Sequence, residues 1–137
     1  MNALFTGIKT KFGTSGSPTA LYTAIGGRMY LIKAPQAATF PYVIYELITA
    51  VDELGFSDEN ELFQIQFDIW TQNNSASSAG TILGHLKSLY DDCTLTVSGW
   101  LFLSMIREFV VPNNDISQAP PIMGYSVQYE ILLEKVR

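Results

Sequence analysis

At 137 residues the chain has the length of one domain, 1–137, and 47% of its residues are hydrophobic, enough for a core that buries roughly two-thirds of the unfolded surface. Only 15% are charged, against about 25% in ordinary soluble domains, which points to surface hidden against other chains. The net charge is −5, from 8 basic and 13 acidic residues, and Lys9 and Lys11 are the only close basic pair, so a protein that grips nucleic-acid phosphates is not expected.

In chain order, Leu4, Phe5, Ile8 and Phe12 recur at helical spacing, with Asn2 as the expected N-cap of a short amphipathic helix. "GTSGS" (Gly13 to Ser17) reads as a turn. Pro18 suits the first turn of a second short helix that runs to Ala24 and stops at "IGG". "RMYLI" (Arg28 to Ile32) and "YVIYELI" (Tyr42 to Ile48) have strand composition, the latter with Pro41 at its head.

"ELFQIQFDIW" (Glu61 to Trp70) alternates strictly. Phe63, Ile65, Phe67 and Ile69 share one strand face, and Leu62, Gln64, Gln66, Asp68 and Trp70 share the other. "SASSAGTILGHLKSLYD" places Ile82, Leu83, Leu86, Leu89 and Tyr90 on one helical stripe. Asp91 and Asp92 oppose the helix dipole, so this helix is expected to end before them. "TLTV" (Thr94 to Val97) reads as a strand, followed by the apolar run "WLFLSMIREFVV" (Trp100 to Val111) and a proline-bounded loop, Pro112 to Pro121. The final segment alternates again, with Met123, Tyr125, Val127, Tyr129, Ile131 and Leu133 on one face. The expected fold is α+β: a single antiparallel or mixed β-sheet, with two short N-terminal helices and one longer amphipathic helix packed mostly on one face.

Chemistry is hard to find in this order of residues. His85 is the sole histidine and has no Asp or Glu four residues away on its helix, so a surface or satisfied helical histidine is expected. Cys93 is the only cysteine, which excludes an intrachain disulfide; Asp91 and Asp92 beside it would raise its thiol pKa rather than activate it. No nucleophile elbow, Walker loop or dinucleotide fingerprint occurs, and "DELGFSDENE" lacks the ligand spacing of a calcium loop. No catalytic, cofactor-binding or metal residues are therefore named, and an enzyme is not expected. The same acidic stretch carries Asp52, Glu53, Asp58, Glu59 and Glu61 with Leu54 and Phe56 among them, a pattern that serves either a solvated hairpin or a contact. "MNALFTGIKTKFG" lacks the apolar core of a signal peptide, and no run reaches the ~20 apolar residues of a membrane span, so a cytosolic product is expected.

The order of the elements carries a resemblance. "IGGRMYL", then "APQAATFPYVIYEL", then "ELFQIQFDIWT", then a helix rich in small residues at its start and a closing "GYSVQYEILLE" strand resemble the tail-completion, or tail-terminator, proteins of long-tailed bacteriophages and prophages. That family pairs a Gly-x-Arg-(Ile/Met)-Tyr turn and strand, here Gly27 to Tyr30, with a Pro-Tyr-led strand, here Pro41 to Tyr45, and a Phe-Gln-Ile…Asp-(Ile/Val)-Trp strand, here Phe63 to Trp70.

The resemblance implies a homohexameric ring in the neck of the virion, assembled in the bacterial host cytoplasm. Such a ring caps the tail tube, stops its polymerisation and joins the tail to the head connector. Its implied partners are further copies of itself, the tail tube protein and a head-tail connector or head-completion protein. Double-stranded DNA would only pass through the channel, without sequence-specific binding, and no membrane is involved. Asp52, Glu53, Leu54, Phe56, Asp58, Glu59, Leu62, Gln64, Gln66, Asp68 and Trp70 are the candidate interface or channel residues. The alternatives are another neck protein, a head-closure or adaptor ring, and a cystatin-like module that holds a small ligand in an enclosed apolar pocket.

Overall fold

The computed structural model describes residues 2–54, 59–72 and 77–136, the side chains of residues 51–54 and 59 excepted. Helix α1 (Asn2–Phe12) sets Leu4, Ile8 and Phe12 one turn apart on a single stripe, and all three are fully buried. Asn2 is the first helical residue rather than the cap. The "GTSGS" stretch is a small hairpin, Gly13–Thr14 (β1) against Ser17–Pro18 (β2). Pro18 thus belongs to that hairpin and not to a helix. Helix α2 (Ala20–Ile25) opens on Thr19, whose hydroxyl oxygen accepts from the Tyr22 amide at 3.2 Å. It closes at Gly26, whose φ of 60° is the left-handed cap that glycine adopts without strain.

Five strands follow in one sheet: β3 (Met29–Leu31), β4 (Tyr42–Leu54), β5 (Glu59–Gln72), β6 (Trp100–Asp115) and β7 (Ile122–Lys135), ordered β3-β4-β5-β7-β6. The β3–β4 pair is parallel and the other three are antiparallel, so the sheet is mixed. The chain is α+β, as expected. Arg28 explains the Gly-x-Arg pattern. Its Nε donates to the Pro41 carbonyl at 2.9 Å and its Nη2 to the Phe40 carbonyl at 3.4 Å, which fixes the entry of β4 beside β3.

Helix α3 (Ser77–Tyr90) ends just before the two aspartates, where the dipole argument put its end. Thr94 to Val97 is not a strand. It is an irregular segment whose Leu95 and Val97 are buried, and it runs so close to α1 that a Cβ at Gly7 would stand 2.6 Å from the Thr96 carbonyl oxygen. An extended irregular segment alternates its side chains as a strand does, so the sequence pattern could not separate the two.

The apolar run is β6, and it continues through the first residues of the expected proline loop: Pro112 still faces Tyr125, and Asp115 faces Ile122. Pro112 is tolerated because β6 is an edge strand, where a missing N–H breaks no ladder if it points outward. Part of the acidic stretch is itself strand, since pairing continues to Leu54 opposite Glu59.

The core lies between the helices and one sheet face. Tyr90 of α3 stacks on Phe67 at 4.8 Å between ring centroids, and Tyr45 and Tyr129 flank the same Phe67 ring. The Tyr90 hydroxyl donates to the Ile8 carbonyl at 2.9 Å, tying α3 to α1. Tyr90→Phe keeps the ring and deletes that bond. It is expected to cost about 1 kcal/mol, read as a fall of a few degrees in Tm.

Candidate interaction surface

Because strand side chains alternate, the register divides the sheet into two faces. Val43 and Tyr45 of β4, Phe63 to Ile69 at every second position of β5, and Val127 to Leu133 at every second position of β7 point inward and are buried. The buried residues of α1, α2 and α3 all belong to the cluster on this side, apart from Gly7 and Ala79. Among the described residues no helix covers the other face.

That open face brings together five of the residues singled out on β5: Leu62, Gln64, Gln66, Asp68 and Trp70, all half-buried. Polar side chains cross it in two chains of hydrogen bonds. In the first, the Thr49 hydroxyl donates to Gln64 Oε1 at 2.7 Å, and Gln64 Nε2 and Gln128 Nε2 both donate to Glu108 Oε1 at 3.2 Å. In the second, Asp68 Oδ1 accepts from Gln66 Nε2 at 3.0 Å and from the Ser126 hydroxyl at 2.6 Å. The bond to Glu108 gives the amide of Gln128, which is only 8% exposed, a partner. At the lower end Trp70 lies over Gly124, where a Cβ would meet its ring at 3.4 Å.

Charge on this face has one sign. Glu46, Asp68, Glu108, Glu130 and Glu134 occupy its rows, and no Lys or Arg of the described residues does. Arg107 points to the helix side, where its Nε lies 3.3 Å from Asp91 Oδ1, the same oxygen that accepts from the Tyr129 hydroxyl at 2.5 Å. Burial, reinforced by that bond to Asp91, pushes the Tyr129 phenol far above its usual range.

The feature that sequence reasoning missed lies on β6. Leu101, Leu103, Ile106, Phe109 and Val111 are 41–54% exposed along this edge strand. Of the acidic stretch, Asp52, Glu53, Leu54 and Glu59 sit on the paired ends of β4 and β5, while Phe56 and Asp58 lie outside the described residues.

The remaining candidates for chemistry stay apart. Cys93 is half-buried with its Sγ 3.5 Å from Met105 Sδ; burial is the main reason its thiol pKa is raised, with Asp91 and Asp92 adding to it. His85 is half-buried on α3. Among the described residues no group of three or more His, Cys, Asp or Glu is placed to hold a metal, and no helix is long and apolar enough to cross a membrane. Two grooves of about 370 and 300 Å³ border α1. Both are open, the larger lined in part by Lys9 and Thr10 and the smaller by Thr10 and Lys11, unlike the enclosed apolar pocket that a small-ligand module needs.

This two-layer arrangement has a counterpart among solved structures. A chain in the virion of a native gene transfer agent particle matches it with a TM-score of 0.75 and 11% sequence identity, over 98% of this chain and 99% of that one. The two share a fold. No protein-family model matches the chain, and no curated protein matches it in sequence.

Proposed function

We propose that this chain is a structural subunit of a phage-like particle, a tail terminator that forms a ring on the end of the tail tube and joins it to the head connector. The observation that carries the reading is the end-to-end fold likeness to a chain of a gene transfer agent virion. It is supported by the tail-completion pattern at Gly27 to Tyr30, Pro41 to Tyr45 and Phe63 to Trp70. The surface fits the same role. A ring repeats one heterologous contact, so each subunit needs two different adhesive regions, and this sheet has two open edges, apolar β6 on one side and the part of β4 beyond β3 on the other. A wall of carboxylates without lysine or arginine would let DNA slide past without adhering.

The hairpin of β4 and β5 is the element proposed to meet the tube, with Leu54 and Phe56 seated on the tube protein and the neighbouring carboxylates setting register. Purified tube protein polymerised with the wild-type chain is expected to give short tubes by electron microscopy. With Leu54→Ser and Phe56→Ser combined, about tenfold more protein is expected to be needed for the same shortening, a loss of about 1.4 kcal/mol. Equal shortening by the two would remove the hairpin from the contact, and no shortening by the wild type would count against the terminator role.

A further inference from the structure

We infer that the ring is held together by continuation of the β-sheet from copy to copy, the apolar β6 edge of one chain pairing with the free edge of β4 in the next. This deepens the terminator reading and rests on it for closure into a ring; the edge contact itself rests on the geometry of the sheet.

Two edges are open. Beyond β6 no strand lies among the described residues, and β3 covers β4 only at Val43 to Tyr45, leaving Glu46–Leu54 without a neighbour on that side. An unpaired edge presents a row of N–H and C=O groups that only another strand satisfies in full. Proteins that keep such edges solitary place charges along them. Here Arg107 is held by Asp91 and Glu108 by Gln64 and Gln128, both across the faces of the sheet, and the remaining protection is two bulges and Pro112. Along the same strand stand Leu101, Leu103, Ile106 and Phe109, each exposed by 41–54%. Leu101, Ile106 and Phe109 share open-face rows with Glu134, Glu130 and Gln128, so a strand added beside β6 would bring its own side chains of that face against them.

The same chain carries the matching strand. Three antiparallel pairings separate β4 from β6, so they run in opposite senses. A neighbour in the same orientation therefore offers β4 antiparallel to β6, the stronger of the two pairings. The levels match as well. One row of the sheet runs Thr49–Gln64–Glu130–Ile106, another Glu46–Gln66–Gln128–Phe109, and a third Glu53–Asn60–Glu134–Leu101. The free stretch of β4 and the apolar stretch of β6 thus occupy the same rows at opposite ends. Ile48, 42% exposed at the bulge of β4, supplies apolar surface there. The contact is heterologous, so it propagates and closes only as a ring.

Disulfide trapping tests this. In a Cys93→Ser background, Thr49→Cys is combined in turn with Leu101→Cys, Ile106→Cys and Val111→Cys, which samples registers along the edge. The proteins are oxidised over a concentration series while sedimentation velocity follows assembly. At least one pair is expected to give a ladder of covalent multimers, and neither single cysteine should give more than a dimer. Ile106→Lys, at a position already exposed, should keep the wild-type Tm and raise the assembly midpoint about tenfold. Rings with no ladder from any pair overturn the edge contact and leave the terminator reading standing. A ladder that grows into open filaments supports the contact and overturns the ring. Monomers without a ladder at every concentration overturn self-pairing, and tube shortening then decides the terminator reading separately.

Discussion

Phe67→Asp is expected to leave no cooperatively folding protein, while Gln66→Asp, one position away, melts within a few degrees of wild type. Phe67 is fully buried and its ring meets Tyr45, Tyr90 and Tyr129 at centroid distances of 6.2, 4.8 and 5.8 Å. Removing such a ring costs about 3–5 kcal/mol, and a carboxylate left there without a partner adds several more. Together these are of the same order as the roughly 5–15 kcal/mol that holds a typical domain folded. Gln66 lies on the open face and donates to Asp68 at 3.0 Å. Its replacement loses that bond and sets two carboxylates near each other in contact with water, about 1–2 kcal/mol in all. Far-UV circular dichroism with thermal melts reads both. Equal losses would mean that the faces of β5 are assigned wrongly.

The second large effect is at Gly124. A Cβ built there stands 1.8 Å from the Ile69 carbonyl oxygen, a backbone atom of the adjoining central strand that cannot swing aside. Gly124→Ala must therefore push β5 and β7 apart, and is expected to cost about 3 kcal/mol or more by urea denaturation. Gly84→Ala makes the same chemical change in the middle of α3, where a Cβ meets nothing within 4 Å. It is expected to stabilise by about 0.5–1 kcal/mol, because alanine loses less backbone freedom in a helix than glycine does. Opposite signs from one substitution separate a packing glycine from a dispensable one.

Alternation made β5 and β7 legible, and helical spacing did the same for α1 and α3, because each has one apolar face and one polar face. The same logic failed for Trp100 to Val111. That run is apolar on both faces, so it has no period, and nothing local says that its strand lies at the edge with half of those residues facing water. Exposure there is a consequence of strand order, which the chain sets elsewhere. Acidic residues hid the true length of the β4–β5 hairpin, since Asp52, Glu53 and Glu59 are poor strand formers held by pairing. On the open face of β5, Leu62 and Trp70 alternate with polar residues as the sequence shows, while Glu108 and Gln128, which complete its hydrogen bonds, could be found only once β6 and β7 were placed beside it.

The position of β7 has a consequence for how the molecule comes together. β4 with β5 and β6 with β7 are each joined by a short connection, and the two hairpins meet only along β5 and β7. Partners across that seam are remote in the chain, from Gln72 with Ile122 to Asn60 with Glu134. The entropy of closing a long loop falls almost wholly on this single joint, so the non-local step of folding is the docking of one preformed hairpin on another. Helix α3 is the chain between them, and Tyr90 near its end touches Phe67 on one side of the seam and Tyr129 on the other. The connector is also the clasp.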